Sequence, residues 1–318
     1  MKKEKILVTG GCGYIGSVLV PMLLEAGYSV RVFDNVRYDS GHSLMAYLIN
    51  SDFEFVRGDI RNEEDIAKAI EGVDTIIHLA AIAGLHICEK DPKLAHDVNV
   101  GGTENILRNR GNKPIILAST VSNYGEVKEL NESGKVDEDT PLNAKSVYGL
   151  TKIESERLVI EAKNSIVFRF ATAFGLSSRL RIDSLINDFV YKAVKDKQLI
   201  VFQKDFRRPF IHVRDLARGL IFALKNKEKM LNEVYNLGSE EGNFTKEDIV
   251  MMLKKKLPGF NPLFTETKGS DDQRDFFIDY KKLYATGFRT TISMDEGLDE
   301  LIKGMSLMDI KHPYANIS

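Results

Sequence analysis

Short apolar runs alternate along the first half of the chain with longer stretches whose apolar residues recur every three or four positions. The runs are Ile6–Val8, Val30–Phe33, Phe53–Val56, Thr75–Leu79, Ile115–Ala118 and Ile166–Phe170. Most are separated by segments patterned as helices: Tyr14–Ala26, Glu63–Glu71, Lys93–Arg110 and Ser146–Lys163. Strands alternating with amphipathic helices predict an α/β fold, a doubly wound parallel sheet with helices on both faces. Ligands of such a sheet bind outside the carboxyl ends of its strands. After Phe170 the segments become more polar and irregular, which predicts a smaller α+β part capping the sheet. Phe210–Val213 and Val234–Leu237 look like strands returning to the main sheet. The expected division is 1–170 plus about 207–238 for the sheet domain, 171–206 plus about 239–305 for the cap, and 306–318 as a tail.

The first apolar run breaks into Thr9-Gly10-Gly11-Cys12-Gly13-Tyr14-Ile15-Gly16 and leads directly into a helical pattern. Strand, tight turn and helix in that order suit a pyrophosphate resting on the helix N-terminus, with Gly10, Gly13 and Gly16 letting the backbone approach it. Asp34 ends the second run, 18 residues after Gly16. An acid at that place suits the free ribose hydroxyls of NAD and repels the 2′-phosphate of NADP.

Tyr148-Gly149-Leu150-Thr151-Lys152 opens the fourth helical stretch, where positions i and i+4 share a face. A tyrosine hydroxyl, with a reference pKa of about 10, is a poor base at neutral pH. A lysine ammonium one turn away favours the phenolate. Upstream, Ala118-Ser119-Thr120-Val121-Ser122 follows an apolar strand. A hydroxyl at the carboxyl end of that strand can bond a substrate oxygen and pass its proton to Tyr148, and Thr120 is the residue assigned that part. The Ser/Thr cluster also reads as turn-forming, the better description of the Ser119 side chain.

Composition narrows the classes. A net charge of −2 gives nucleic-acid binding no electrostatic support. Two cysteines, Cys12 and Cys88, build no disulfide framework and point to reduced thiols in cytoplasm. No stretch approaches the ~18 apolar residues of a membrane span. The charged start followed by only three apolar residues is strand one rather than a secretory signal. No metal is expected.

Together these motifs, with Gly58-Asp59-Ile60-Arg61, His78-Leu79-Ala80-Ala81, Asn99-Val100-Gly101-Gly102-Thr103, Tyr124-Gly125 and Arg208-Pro209-Phe210-Ile211-His212-Val213-Arg214-Asp215, resemble the extended short-chain dehydrogenase/reductase superfamily in its nucleotide-sugar epimerase/dehydratase branch. The resemblance spans residues 5 to about 303. It implies a Rossmann-type sheet, NAD as cofactor and a nucleotide-diphosphate sugar as substrate. It further implies cofactor contacts from Gly10, Gly13, Tyr14, Ile15, Gly16, Asp34, Asn35, Asp59, Ile60, Leu79, Ala80, Ala81, Asn99, Ser119, Tyr148 and Lys152. Asp59 and Ile60 would flank the adenine, and Asn99 would brace the site. Tyr148 and Lys152 would be catalytic, with Thr120 assisting. Thr172, Asn187, Arg208 and Arg274 match positions near the substrate diphosphate. Relatives commonly form homodimers through two sheet-flanking helices, here Leu94–Arg108 and Val147–Ala162, and Ile153 and Ile160 share a side that could serve.

The departures bear on the reaction. The family's 4,6-dehydratases carry Asp-Glu directly after the threonine; here stand Val121 and Ser122, which do no acid–base work. The combined 3,5-epimerase/4-reductases place a cysteine where this chain has Ser122. Three segments, Ile82–Pro92, Phe168–Asp183 and Phe206–Phe210, resemble the subgroup containing GDP-heptose 4-dehydrogenases. The expected function is oxidation at C4 of a nucleotide-linked sugar, by a 4-epimerase that returns the hydride or, alternatively, a 4-dehydrogenase that releases the keto sugar. A non-catalytic NAD sensor or scaffold on the same fold is the remaining class; an intact Thr120, Tyr148 and Lys152 set speaks against it. Cys88 and His86 read as a buried packing residue and a loop residue.

Overall fold

The computed structural model describes residues 3–127, 130–265 and 276–309. Strands β1 (Lys5–Thr9), β2 (Ser29–Asp34), β3 (Phe53–Arg57), β4 (Thr75–His78), β5 (Ile115–Thr120) and β6 (Ser165–Phe170) follow the six apolar runs. Then come β7 (Thr172–Phe174), β8 (Gln198–Phe202), β9 (Arg207–His212), β10 (Glu233–Leu237), β11 (Asn243–Thr245) and β12 (Asn261–Thr265). The main sheet has seven parallel strands in the order β10-β6-β5-β4-β1-β2-β3. Winding reverses between β1 and β4, which opens a crevice at their carboxyl ends.

Helix α1 (Gly16–Glu25) leaves the glycine turn, and α2 (Glu63–Ile70) is capped by Asn62, whose side chain accepts the Glu64 and Asp65 amides. The expected single helix over 93–110 is α4 (Pro92–His96), a π-turn at Asp97–Gly101 and α5 (Gly102–Asn109), preceded by the short α3 (Leu85–Lys90). Helix α6 (Val147–Glu161) starts at Ser146, whose hydroxyl accepts the Gly149 amide. The remaining helices are α7 (Leu185–Tyr191), α8 (Val213–Lys225), α9 (Lys227–Met230), α10 (Lys246–Lys256), α11 (Lys281–Ala285) and α12 (Met294–Leu307), the last reaching two residues into the expected tail. Thr245 and Ser293 close capping boxes at the starts of α10 and α12.

One sheet face buries Leu19, Val20 and Leu23 of α1 with Leu216, Ala217 and Leu220 of α8. The other buries Ile66, Ile106 and Val159 of α2, α5 and α6. A third core joins Ile186, Val190, Leu199, Val201, Ile249, Leu253, Leu298 and Leu301 from the second half.

Two expectations are corrected. Strand β10 does join the main sheet, but the run at Phe210 does not: β9 pairs with β7 and β11 in a separate three-stranded sheet. The place beside β6 is taken by β10, so β9 pairs with the chain that continues beyond β6. Nor do Ile153 and Ile160 form one outward stripe. Ile160 packs on the second core, as do Leu94, Val98, Ile106 and Leu107. That flank of α6 is covered near Ile160 and open near Ile153, leaving half-buried Ile153 beside exposed Leu150.

Beneath the ends of β5 and β6 lies a buried charge. Arg169 donates from Nε and Nη2 to Glu156 Oε1 at 3.0 and 2.6 Å, while Ser119 Oγ and Asn123 Nδ2 donate to Glu156 Oε2 at 2.6 and 3.1 Å. Both members of the ion pair are nearly sealed from water. Breaking such a pair from one side strands a charge. Glu156→Ala is expected to cost about 3–5 kcal/mol, whereas Glu161→Ala, in the exposed pair with Arg157, should cost under about 1 kcal/mol. Urea denaturation of the two variants measures the contrast; equal losses would remove the central role given to Glu156.

Candidate active site

The first strand ends at Thr9, and the backbone turns through Gly10 at φ +73°. The three glycines of the turn do different work. A Cβ on Gly10 would lie 2.7 Å from the Ala80 nitrogen, and one on Gly16 would lie 2.5 Å from the Gly11 carbonyl oxygen. Those two allow backbone to pack on backbone. A Cβ on Gly13 would meet only the Gly10 oxygen, at 3.1 Å. Gly13 lines the cleft, so its bareness leaves room for a ligand rather than for the protein. The cleft runs across the reversal point of the sheet. It is lined by Gly10, Gly13, Tyr14, Ile15, Gly16, Asp34, Asn35, Asp59, Ile60, Leu79, Ala80 and Ala81, twelve positions named from the sequence and brought together by four different strand ends.

The Asp34 carboxylate accepts the Cys12 amide at 3.0 Å and the Val36 amide at 2.8 Å. Burial raises its pKa above the ordinary carboxylate range, against the pull of those two amides. Asp59 is gripped by Arg61 through Nε at 3.0 Å and Nη2 at 2.7 Å, which holds its carboxyl below the usual range. Asn35 accepts the Arg37 amide at 3.1 Å.

At the inner end, Asn99 sits in the π-turn. Its Oδ1 accepts the Ile82 amide at 2.8 Å, and its Nδ2 donates to the Ile82 carbonyl at 3.1 Å and Thr151 Oγ1 at 3.0 Å. It therefore fastens the loop after β4 to α6. On α6, Lys152 is buried. Burial pulls its pKa down to about 8, partly offset by Glu156 and then Cys88. Tyr148, one turn earlier, is half-buried and within electrostatic reach of Arg181. Thr120 Oγ1 accepts the Ser122 amide at 3.1 Å, which leaves its own proton available to donate. Cys88 is sealed, donates to the Ile82 carbonyl at 3.3 Å and has its thiol pushed up to about 12 by burial. His86 is exposed.

Several placements differ from expectation. The Ser119 side chain points into the Glu156 network, because residues alternate faces along β5 and its partner face is the interior. Asn187 is wholly buried: it donates to Tyr14 Oη at 3.2 Å and the Arg181 carbonyl at 2.9 Å, and accepts the Gly175 amide at 3.1 Å. Its amide is spent on holding the chain, so it supports the wall rather than facing a diphosphate. Thr172 opens β7 half-buried, and Arg208 lies on β9, nearly buried. Arg274 lies outside the described residues. Sequence reasoning missed Arg179 and Arg181, which line the cleft from the segment after β7; two arginines with one residue between them, shortly after a strand end at Gly175, were the available signal.

The residues present fit a dinucleotide: an open glycine cradle at a helix start, an acid at the end of β2, and the buried Lys152 on α6. The described residues hold no cluster of metal-ligating side chains and no helix long and apolar enough to cross a membrane.

Comparison with known proteins agrees. The model of the NAD dependent epimerase/dehydratase family matches residues 6–238. The chain is 30% identical to UDP-glucose 4-epimerase 2 of Arabidopsis thaliana over 80% of its length and 82% of that protein. It is 28% identical to the CDP-paratose 2-epimerase of Salmonella typhi over 93% of its length and 98% of that protein. The crystal structure of UDP-glucuronic acid 4-epimerase from Bacillus cereus, in complex with UDP-glucuronic acid and NAD, superposes with a TM-score of 0.84 at 29% identity, covering 95% of this chain and 98% of that one. With strand order, cleft and family model in accord, the chain belongs to the NAD-dependent epimerase/dehydratase family and is an NAD-dependent enzyme.

Proposed function

We propose that the protein is an epimerase acting at C4 of a sugar carried on a nucleoside diphosphate. The observation that carries this is Lys152: a nearly buried lysine whose pKa burial pulls down to about 8, one turn from Tyr148, on the helix that Asn99 ties to the cleft wall. Bound NAD supplies the acceptor for the hydrogen leaving C4. Tyr148 takes the C4 hydroxyl proton, directly or through Thr120. Lys152 would hold the ribose of the cofactor, and its charge favours the tyrosinate. Val121 and Ser122 offer neither a general acid nor a base next to Thr120, which supports return of the hydrogen over elimination of water. The relatives' substrates, UDP-glucose, UDP-glucuronic acid and CDP-paratose by their names, support a nucleotide sugar as the class. Arg208, and Arg274, are proposed to hold its diphosphate. The third core is the substrate-binding part, and the protein works in the cytoplasm as a homodimer, with Leu150 and Ile153 of α6 in the contact.

Tyr148→Phe should lower turnover by about 10³-fold or more and leave NAD binding intact, while Thr120→Val should cost about 10- to 100-fold. A coupled assay with a panel of UDP- and GDP-sugars tests both; wild-type-like turnover in Tyr148→Phe overturns the mechanism, and accumulation of a 4-keto product with reduced NAD in the wild type replaces epimerase by dehydrogenase.

The buried Lys152 also penalises the cofactor-free fold. Its folded pKa of about 8 lies below the reference value of 10.5. The unfolded chain thus binds more protons between those values, and this group's cost is full below pH 8 and gone above about pH 10.5. Lys152→Met should therefore stabilise the cofactor-free protein by up to about 3 kcal/mol at pH 7, with the gain fading across that window. Denaturation midpoints at pH 7 and pH 10 measure it.

Sedimentation equilibrium at micromolar concentration is expected to give a dimer, converted towards monomer by Leu150→Glu; a strictly monomeric wild type removes the α6 contact.

A further inference from the structure

A helix leaves its first amides without partners inside itself. At the start of α6 two of them are answered from different places. Ser146, the residue before the helix, accepts the Gly149 amide at 3.2 Å. The Val147 amide is answered from another element: it donates at 2.9 Å to Oε1 of Glu89, 58 residues back in the chain, on α3. Val147 is the residue before Tyr148. On the other side, the Tyr148 carbonyl accepts from Thr151 Oγ1 at 2.9 Å, and Thr151 Oγ1 in turn accepts from Asn99. The main chain is therefore held just before and just after the Tyr148 Cα.

The element that carries Glu89 is itself pinned to the cleft wall. Cys88 donates from its thiol to the Ile82 carbonyl and from its amide to the Gly84 carbonyl, both at 3.3 Å. Asn99 grips the same Ile82 through its amide and its carbonyl, and Ile82 and Ile87 line the cleft. Two lines of hydrogen bonds thus run from Ile82 to the surroundings of Tyr148. One passes through Asn99 and Thr151 to the Tyr148 carbonyl. The other passes through Cys88 and Glu89 to the Val147 amide. The next acid along the chain, Asp91, is committed elsewhere, accepting the Leu94 amide at the start of α4. A carboxylate suits the place of Glu89 on two counts: it accepts the amide, and negative charge is favoured at the first turn of a helix. Glu89 is exposed, so water competes for the bond, whose worth lies in its direction.

We propose that Glu89 is a positioning residue for the reaction: by holding the Val147 amide it fixes the direction in which Tyr148 leaves α6, and so the approach of the phenol to the C4 hydroxyl. This rests on the epimerase reading, in which Tyr148 takes and returns that proton. Reaction rates fall steeply when reacting groups are misplaced by a fraction of an ångström. Loosening the first turn of α6 should slow the chemical step and leave binding alone, because the glycine turn and Arg208 belong to other elements.

The test is steady-state kinetics of the full chain with whichever UDP- or GDP-sugar of the panel the wild type turns over fastest, together with titration of NAD and inhibition by UDP and GDP. Glu89→Ala should lower kcat about 3- to 10-fold. Its KM, its NAD affinity and its inhibition by the nucleoside diphosphates should stay within about twofold of the wild type. Glu89→Gln keeps an acceptor oxygen for the Val147 amide and should restore kcat to within about twofold. Wild-type kcat in Glu89→Ala overturns the positioning role and leaves the epimerase reading standing. A loss shared fully by Glu89→Gln also overturns it, because the acceptor oxygen is then not what matters. A loss that appears in KM or in NAD binding overturns it too, since it reports disorder of the cleft. Wild-type protein that turns over no sugar of the panel overturns both.

Discussion

The close approach of two strand exits organises this molecule. Where β1 and β4 part, the chain after Thr9 passes so near Ala80 that a single Cβ on Gly10 would lie 2.7 Å from backbone nitrogen. Main chain packed on main chain leaves no room for side chains to cover the carboxyl ends of the strands. The strand ends stay open as the cleft. Everything functional is placed relative to that contact: the start of α1 on one side, Asp34 at the end of the neighbouring strand, and the loop from Leu79 to Ile82 on the other.

The second half of the site is held by buried polar groups as well as by apolar packing. Asn99 ties the loop after β4 to α6, and Glu156 ties α6 to β5 and β6 through Ser119, Asn123 and Arg169. His78 bridges Thr9 and Thr103 at 2.8 and 3.1 Å, and burial drives its pKa down to about 3, so it stays neutral and serves as a strut. Hydrogen bonds are directional and apolar contacts are not. A helix that must present Tyr148 and Lys152 at one register is better held by the former. The cost is visible at Lys152, whose burial pulls its pKa down to about 8 despite the offsetting charge of Glu156.

The segment after β7 completes the enclosure. Asn187 was expected at a diphosphate and is instead the peg on which Tyr14, Gly175 and Arg181 hang. A wall built this way can carry two arginines into the cleft, since their backbone is fixed at both ends.

What the sequence determined by itself is local and periodic. Six apolar runs and their intervening helical patterns specified the parallel sheet. The spacing of Gly10, Gly13, Gly16 and Asp34 specified a dinucleotide cleft, because turn, strand end and helix start are set by neighbouring residues. That Tyr148 and Lys152 share one helix a turn apart was legible for the same reason. Tertiary structure decided what depends on contacts between distant segments. Whether Phe210 joined the main sheet was settled by β10 already occupying the place beside β6. Whether Ile160 faced solvent, whether Ser119 looked at the cleft or at Glu156, and whether Arg179 and Arg181 reached the cleft were settled by packing across more than a hundred residues of chain in some cases. Side-chain direction at the ends of strands and in irregular segments has no periodicity to announce it, so only the folded chain reveals it.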